Sequence, residues 1–236
     1  MTAHLVAQVG VLERLLRAIA AGDPAAVRLL KAHPDLARAA ASTGATRAGA
    51  ERFYLPEIGH YVYTGDTALH VAAAGYHAAL VRALVELGAD PAARNRRGAQ
   101  PPHYCAAGSP GSPRWNPDAQ SATLRELLLS GADPGAPDRS GVTPLHVAVR
   151  TRCAPAVRIL LAHGADPSRP NGSGSTPLHL AVQDTGRGGS GSAPAREQQA
   201  EIVRLLLEHG ADPRARDGRG KTVLERDSRG LLQRRE

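Results

Sequence analysis

Lysine is nearly missing from this chain of 236 residues, where only Lys31 and Lys221 occur among 29 basic side chains. That bias fits a GC-rich genome, such as a bacterial one, and need not reflect function. Aromatic residues are scarce too, with one Phe, one Trp and five Tyr, so Ala, Val and Leu must carry the packing. Small apolar side chains of that kind suit short helices stacked closely. Two cysteines, Cys105 and Cys153, argue for a reducing compartment and against a disulfide scaffold. No window reaches the roughly 18 consecutive apolar residues of a membrane span. The first residues also lack the charged-then-apolar pattern of a secretion signal, so a cytoplasmic location and no membrane partner are expected.

Chemistry-bearing motifs are missing as well. No Gly-x-Ser-x-Gly, His-Glu-x-x-His or Cys-x-x-Cys pattern occurs. The triplet Gly220-Lys221-Thr222 looks like the end of a phosphate-binding loop, but Ala215 stands where that motif needs glycine. Gly186 to Gly191 is glycine-rich yet follows no expected strand. No catalytic, cofactor or metal site is therefore expected, and an enzyme has no support in the residues.

What is present is a repeat. The tetrad Gly-Ala-Asp-Pro begins at Gly88, Gly131, Gly164 and Gly210, and each copy is followed ten residues later by another glycine, at Gly98, Gly141, Gly174 and Gly220. Two of these open near-copies of one phrase, Gly-Val-Thr-Pro-Leu-His-Val-Ala at 141–148 and Gly-Ser-Thr-Pro-Leu-His-Leu-Ala at 174–181. An earlier copy at Gly65 has Thr67-Ala68-Leu69-His70-Val71-Ala72. Successive opening glycines, counted from Gly65, are 33, 43, 33 and 46 residues apart.

The chain resembles the ankyrin repeat family, whose units of about 33 residues carry a Thr-Pro-Leu-His-x-Ala signature. The resemblance implies an all-α fold: an ankyrin-repeat solenoid of helix-turn-helix units with hairpin fingers, an N-terminal cap and a C-terminal partial repeat. The expected organisation is a degenerate cap over 1–41, an aromatic-rich extended first finger over 42–64, and repeats over 65–236. Those repeats divide as 65–97, 98–140, 141–173, 174–219 and a partial 220–236. Within a unit, Thr67, Thr143 and Thr176 are placed to cap first helices, and Pro144 and Pro177 suit the first helical position. Val81-Leu84-Val85, Val157-Leu160-Leu161 and Val203-Leu206-Leu207 give second helices an apolar face. The tetrad glycine ends each second helix in a left-handed conformation.

His70, His103, His146 and His179 recur once per repeat. They invite a metal reading, but successive repeats sit about 8–10 Å apart, too far for one zinc ion. The resemblance implies instead that each ties adjacent fingers through backbone hydrogen bonds.

Two repeats are long, by 10 and 13 residues inserted between their helices, at 108–117 and 185–193. Pro117 and Pro194 then precede extra helix-compatible residues, which predicts second helices longer by about a turn. Such loops, one of them bearing Trp115, are either functional projections or tolerated surface length. A third departure is the segment 42–63, where Phe53, Tyr54, Tyr61 and Tyr63 gather four of the seven aromatics. These rings either pack as a cap or bind a partner.

The net charge of +7 is concentrated in 214–236, with eight basic against four acidic side chains, and Arg94, Arg96 and Arg97 make one finger basic. The leading expectation is a non-enzymatic, monomeric protein–protein interaction module that holds an unidentified protein by its concave face and loops. Candidate contacts are Phe53, Tyr54, Tyr61, Tyr63, Tyr76, Arg94, Arg96, Arg97 and Trp115. The alternative is a nucleic-acid or acidic-surface binder acting through the arginine-rich fingers and C-terminal segment.

Overall fold

The structure is a computed structural model that describes residues 3–47, 49–110, 112, 115–183, 192–227 and 230–232, with side chains from residue 10 onward. It divides into two compact units, Met1–Cys105 with Ala122–Asp133, and Ala106–Ser121 with Pro134–Glu236. The first unit holds α1 (Ala3–Ala20), α2 (Ala25–Ala32), a two-stranded hairpin of β1 (Tyr54–Leu55) and β2 (His60–Tyr61), α3 (Ala68–Ala74), α4 (Ala78–Glu86) and α5 (Pro101–Cys105). Helix α6 (Pro117–Leu129) gives its last turns to the first unit and its first turn to the second. The second unit continues with α7 (Pro144–Arg150), α8 (Ala154–Ala162), α9 (Pro177–Ala181), α10 (Ala193–Glu208) and α11 (Val223–Arg226).

Local chemistry explains where these helices begin and end. Thr67, Thr143, Thr176 and Thr222 all adopt extended backbone at the N-cap, with Pro144 and Pro177 just inside the helix. At the other end the four tetrad glycines have φ between +86° and +93°. There Gly88 and Ala89 N–H donate to Val85 and Leu84 O, and Gly164 and Ala165 N–H to Leu161 and Leu160 O. Gly131 and Gly210 end their helices in the same way, a Schellman motif written four times. The tetrad alanine is buried in every copy. The Oδ1 of Asp90, Asp166 and Asp212 accepts the N–H two residues on, which turns the chain away from the helix.

The fingers are tighter than the hairpins expected. In each, an Asn or Asp three residues before the opening glycine closes a five-residue turn. Asn95 Oδ1 accepts from Arg97 and Ala99 N–H, and Asp138, Asn171 and Asp217 repeat this pattern. Outside the first finger only the single bridge Arg216–Thr222 forms at a finger base among the described residues. Neighbouring fingers are then joined through backbone: Arg96 N–H donates to Thr64 O in the first unit, and Gly172 N–H to Ser140 O in the second.

Each unit has a core of fully buried leucine and isoleucine. Leu15, Ile19, Leu69, Leu84, Leu124 and Leu127 fill the first, and Leu145, Leu160, Leu178, Ile202 and Leu206 the second.

The long repeats put their extra residues to structural use. Helices α6 and α10 have 13 and 16 residues, against 9 in α4 and α8, so the expected gain in helix is present. The added turn carries a buried glutamine at one shared position, eleven residues before the tetrad glycine. Gln120 Nε2 donates to Ala107 O, and Gln199 Nε2 to Ala181 O. Each thereby satisfies a carbonyl released where the first helix has ended. The loop expected to project at 185–193 lies outside the described residues up to position 191.

Candidate functional site

The repeat histidines carry out backbone chemistry. Thr67, Thr143 and Thr176 N–H each donate to Nδ1 of the histidine three residues on, at 3.2 Å. An accepting Nδ1 leaves the proton on Nε2, which faces a carbonyl near the next finger turn. His70 Nε2 meets Ala99 O at 3.1 Å, His146 meets Ser175 O at 3.2 Å and His179 meets Lys221 O at 3.3 Å. Both nitrogens are thus engaged with the chain. Burial holds the His146 imidazole down at about 4 and also lowers His70, which keeps both neutral. Gln100 takes the threonine position in its repeat and donates its N–H to His103 Nδ1.

The last repeat shows why histidine is used. Glu225 stands in its place and accepts from Thr222 N–H and Oγ1–H, closing a capping box. A carboxylate caps as well as imidazole does, but it has no proton for a carbonyl of a neighbouring repeat.

The first finger departs from all others. Its base pairs Ala41 with Asp66, and Ala45 N–H donates to Val62 O. Between them β1 and β2 pair antiparallel in the register Tyr54–Tyr61 and Leu55–His60. Alternation splits the hairpin into two faces. Leu55 and Val62 are buried, whereas Tyr54 and Tyr61 are 36% and 37% exposed, with ring centroids 4.8 Å apart. Tyr54 and Tyr61 therefore form an ordered aromatic pair open to solvent. Phe53 and Tyr63 are half-buried. The hairpin tip folds back toward α3, since a Cβ on Gly75 would lie 3.2 Å from Ile58 Cγ2.

A polar cluster lies beneath the inner face. Asp66, wholly buried, accepts from Tyr104 O–H at 2.9 Å, Asn95 Nδ2 at 2.9 Å and Tyr63 N–H at 2.7 Å. The His60 ring meets Tyr104 edge-on, with centroids 4.3 Å apart, and burial lowers its pKa to about 4, against an opposing pull from Asp66. Burial, more than the nearby Asp66 carboxyl, pushes the Tyr104 hydroxyl far up. Asp66, Asn95 and Tyr104 are held among themselves, which marks them as support for the finger, whereas the buried His60 Nε2 has no hydrogen-bond partner among the described residues.

The arginines expected on this surface are partly committed. Arg96 Nη2 donates to Ala45 O, and Arg94 Nη1 to Gly98 O at 3.0 Å. Arg96 and Arg97 lie 5.4 and 5.3 Å from the Tyr63 ring centroid. The aromatic segment and the basic finger, about thirty residues apart in sequence, thus meet in space. Tyr76 sits in the α3–α4 turn with φ +59°, next to Gly75, toward which Ile58 of the hairpin tip folds. Trp115 does not project. It is half-buried, its indole N–H donates to Gln120 Oε1 at 2.8 Å, and Cys153 Sγ donates to the same oxygen at 3.0 Å. The extra turn of α6, which supplies that acceptor, is what draws the ring inward. Cys105 is buried at its alanine-like position.

Four cap-and-turn units of one design define a helical repeat protein. A family model of ankyrin repeats in three copies matches residues 118–217, and a single ankyrin repeat model matches 64–96. Together the matches span more than half of the chain, which belongs to the ankyrin repeat family. Ankyrin repeats generally serve as protein–protein interaction modules and are typically not enzymes. A search of curated proteins finds no match to this chain. Among the described residues no helix is long and apolar enough to cross a membrane.

Proposed function

We propose that the chain is a non-enzymatic, monomeric, cytoplasmic recognition module that holds a partner protein through the first finger and the arginine finger beside it. Residues 1–41 serve it as a degenerate repeat that closes the N-terminal end. The observation that carries this reading is the exposed Tyr54–Tyr61 pair on a hairpin braced from below by Asp66, Asn95 and Tyr104. Rigid aromatic side chains already in place lose little entropy on binding, and Tyr and Arg dominate the energetic centres of interfaces. Arg94, Arg96 and Arg97 add a basic flank that speeds encounter with an acidic partner.

The test compares partners captured from lysate by wild type and by Tyr61→Ala, with affinities measured for each partner purified. Tyr61→Ala is expected to weaken binding by about 1–2 kcal/mol or more with the melt nearly unchanged. Intact affinity with a lowered melt would make these rings packing alone. The stacking of Arg96 and Arg97 on Tyr63 favours one second reading, binding of single-stranded nucleic acid, where basic and aromatic groups act together. Capture that disappears after nuclease treatment would favour it.

A further inference from the structure

Two hollows adjoin behind the first finger, and their linings differ in kind. The first, of about 440 Å³, lies between α1 and the segment leading into the hairpin and is walled by Leu12, Leu16, Leu36, Phe53, Leu55 and Val62. Glu13, Arg17 and Asp35 also border it. The second, of about 390 Å³, shares Ser42, Thr43, Arg52 and Phe53 with the first and adds Gly44, Thr46, Gly49 and Thr64. Its lining has hydroxyls, one guanidinium and no carboxyl group.

The exposed Arg52 borders both hollows. Its guanidinium lies 4.4 Å from the Phe53 ring centroid, and its carbonyl accepts from Arg17 Nη2 at 2.9 Å. Neither arginine is in a salt bridge among the described residues.

We infer that these hollows form one binding site for an amphipathic anion, an acyl-chain carboxylate or a molecule of that chemistry. The apolar body fits the leucine-lined hollow, whose volume falls in the range of small-molecule sites, about 300–1,000 Å³. Orientation follows from charge. In the first hollow Glu13 and Asp35 offset Arg17 and Arg52, whereas in the second Arg52 stands without a carboxyl group beside the hydroxyls of Ser42 and Thr43, so an anionic head is favoured there. The site is separate from the exposed face of Tyr54 and Tyr61, so it stands or falls independently of partner binding.

The experiment is calorimetric titration of the full chain with dodecanoate below its micelle concentration. Hexanoate, dodecanol, dodecyltrimethylammonium and anionic phospholipid vesicles complete the set. Dodecanoate is expected to bind one to one. Each methylene removed should weaken it by up to about fourfold, so hexanoate binds far more weakly. Dodecanol and the ammonium amphiphile should each bind at least tenfold more weakly than dodecanoate. Arg52→Glu should weaken dodecanoate at least tenfold and leave dodecanol unchanged. Thr43→Trp, at the shared wall, should weaken both, with circular dichroism confirming that each variant is folded. Equal binding of all head groups, several molecules bound per chain, or wild-type affinity in both folded variants would overturn the inference. Binding to vesicles with none to monomeric dodecanoate would do so as well.

Discussion

Replacing His146 by glutamate separates the two tasks of the repeat histidine. Glu225 shows that a carboxylate at this position caps its helix, so His146→Glu should keep the Thr143 cap. What it loses is the Nε2–H facing Ser175 O at 3.2 Å, in a site where His146 is 1% exposed. Ser175 O keeps the N–H of Asn171 at 2.9 Å, so the lost bond costs about 0.5–1.5 kcal/mol, and a buried carboxylate facing that oxygen adds about 1–3 kcal/mol. A loss of about 2–4 kcal/mol at pH 7 is expected. The pH dependence is sharper still. In wild type the imidazole titrates at about 4 when folded, against 6.5 in the open chain. The unfolded state therefore binds more protons between those values, and stability falls as pH drops through that window. His146 alone contributes about 1.4 kcal/mol per pH unit, or about 3 kcal/mol in all. In His146→Glu burial is expected to raise the carboxyl above its ordinary value, outweighing the lowering pull of the threonine cap that Glu225 shows, so the folded state should hold its proton longer and stability should rise as pH drops. Urea titrations at pH 4.5, 5.5 and 7.0 measure both slopes, and His146→Gln, which does not titrate, gives the baseline. His60 and His70 titrate in every variant, so the difference from wild type is the quantity to follow. Parallel slopes in wild type and His146→Glu would refute the assigned tautomer and the tie between repeats.

Tyr104→Phe should cost about 2–3 kcal/mol in urea unfolding, because a buried carboxyl loses a donor shared by both its oxygens, at 2.9 and 3.0 Å. A change below about 0.5 kcal/mol would show that Asn95 and Tyr63 suffice to hold Asp66. Gly174→Ala should be worse than Gly131→Ala, although both have left-handed φ, at +74° and +93°. A Cβ at 174 would lie 2.3 Å from Gly218 N, whereas nothing lies within 4 Å at 131. The strain of the conformation alone is about 1–2 kcal/mol. Equal melting temperatures for the two variants would contradict the close approach of the fingers.

Much of this protein is settled by the sequence because the bonds involved close within a few residues. Threonine caps reach three residues ahead, tetrad glycines accept the left-handed turn, and the period repeats both. The turn formed by Asn95, Asp138, Asn171 and Asp217 was equally legible, as Asx three residues before Gly98, Gly141, Gly174 and Gly220. So was the glutamine shared by the two long repeats alone. What only tertiary structure decided are contacts with no period. Nothing local says that Tyr104 reaches Asp66 across 38 residues, or that Arg96 and Arg97 come to lie on Tyr63. Trp115 reads as a projecting anchor until Gln120 is seen to hold its indole. The aromatic segment poses the same problem, since an alternation of two in a strand makes two faces without saying which is covered. Packing against the hollow behind the finger buries Leu55 and Val62, and Tyr54 and Tyr61 are left outside because the pleat allows them nowhere else.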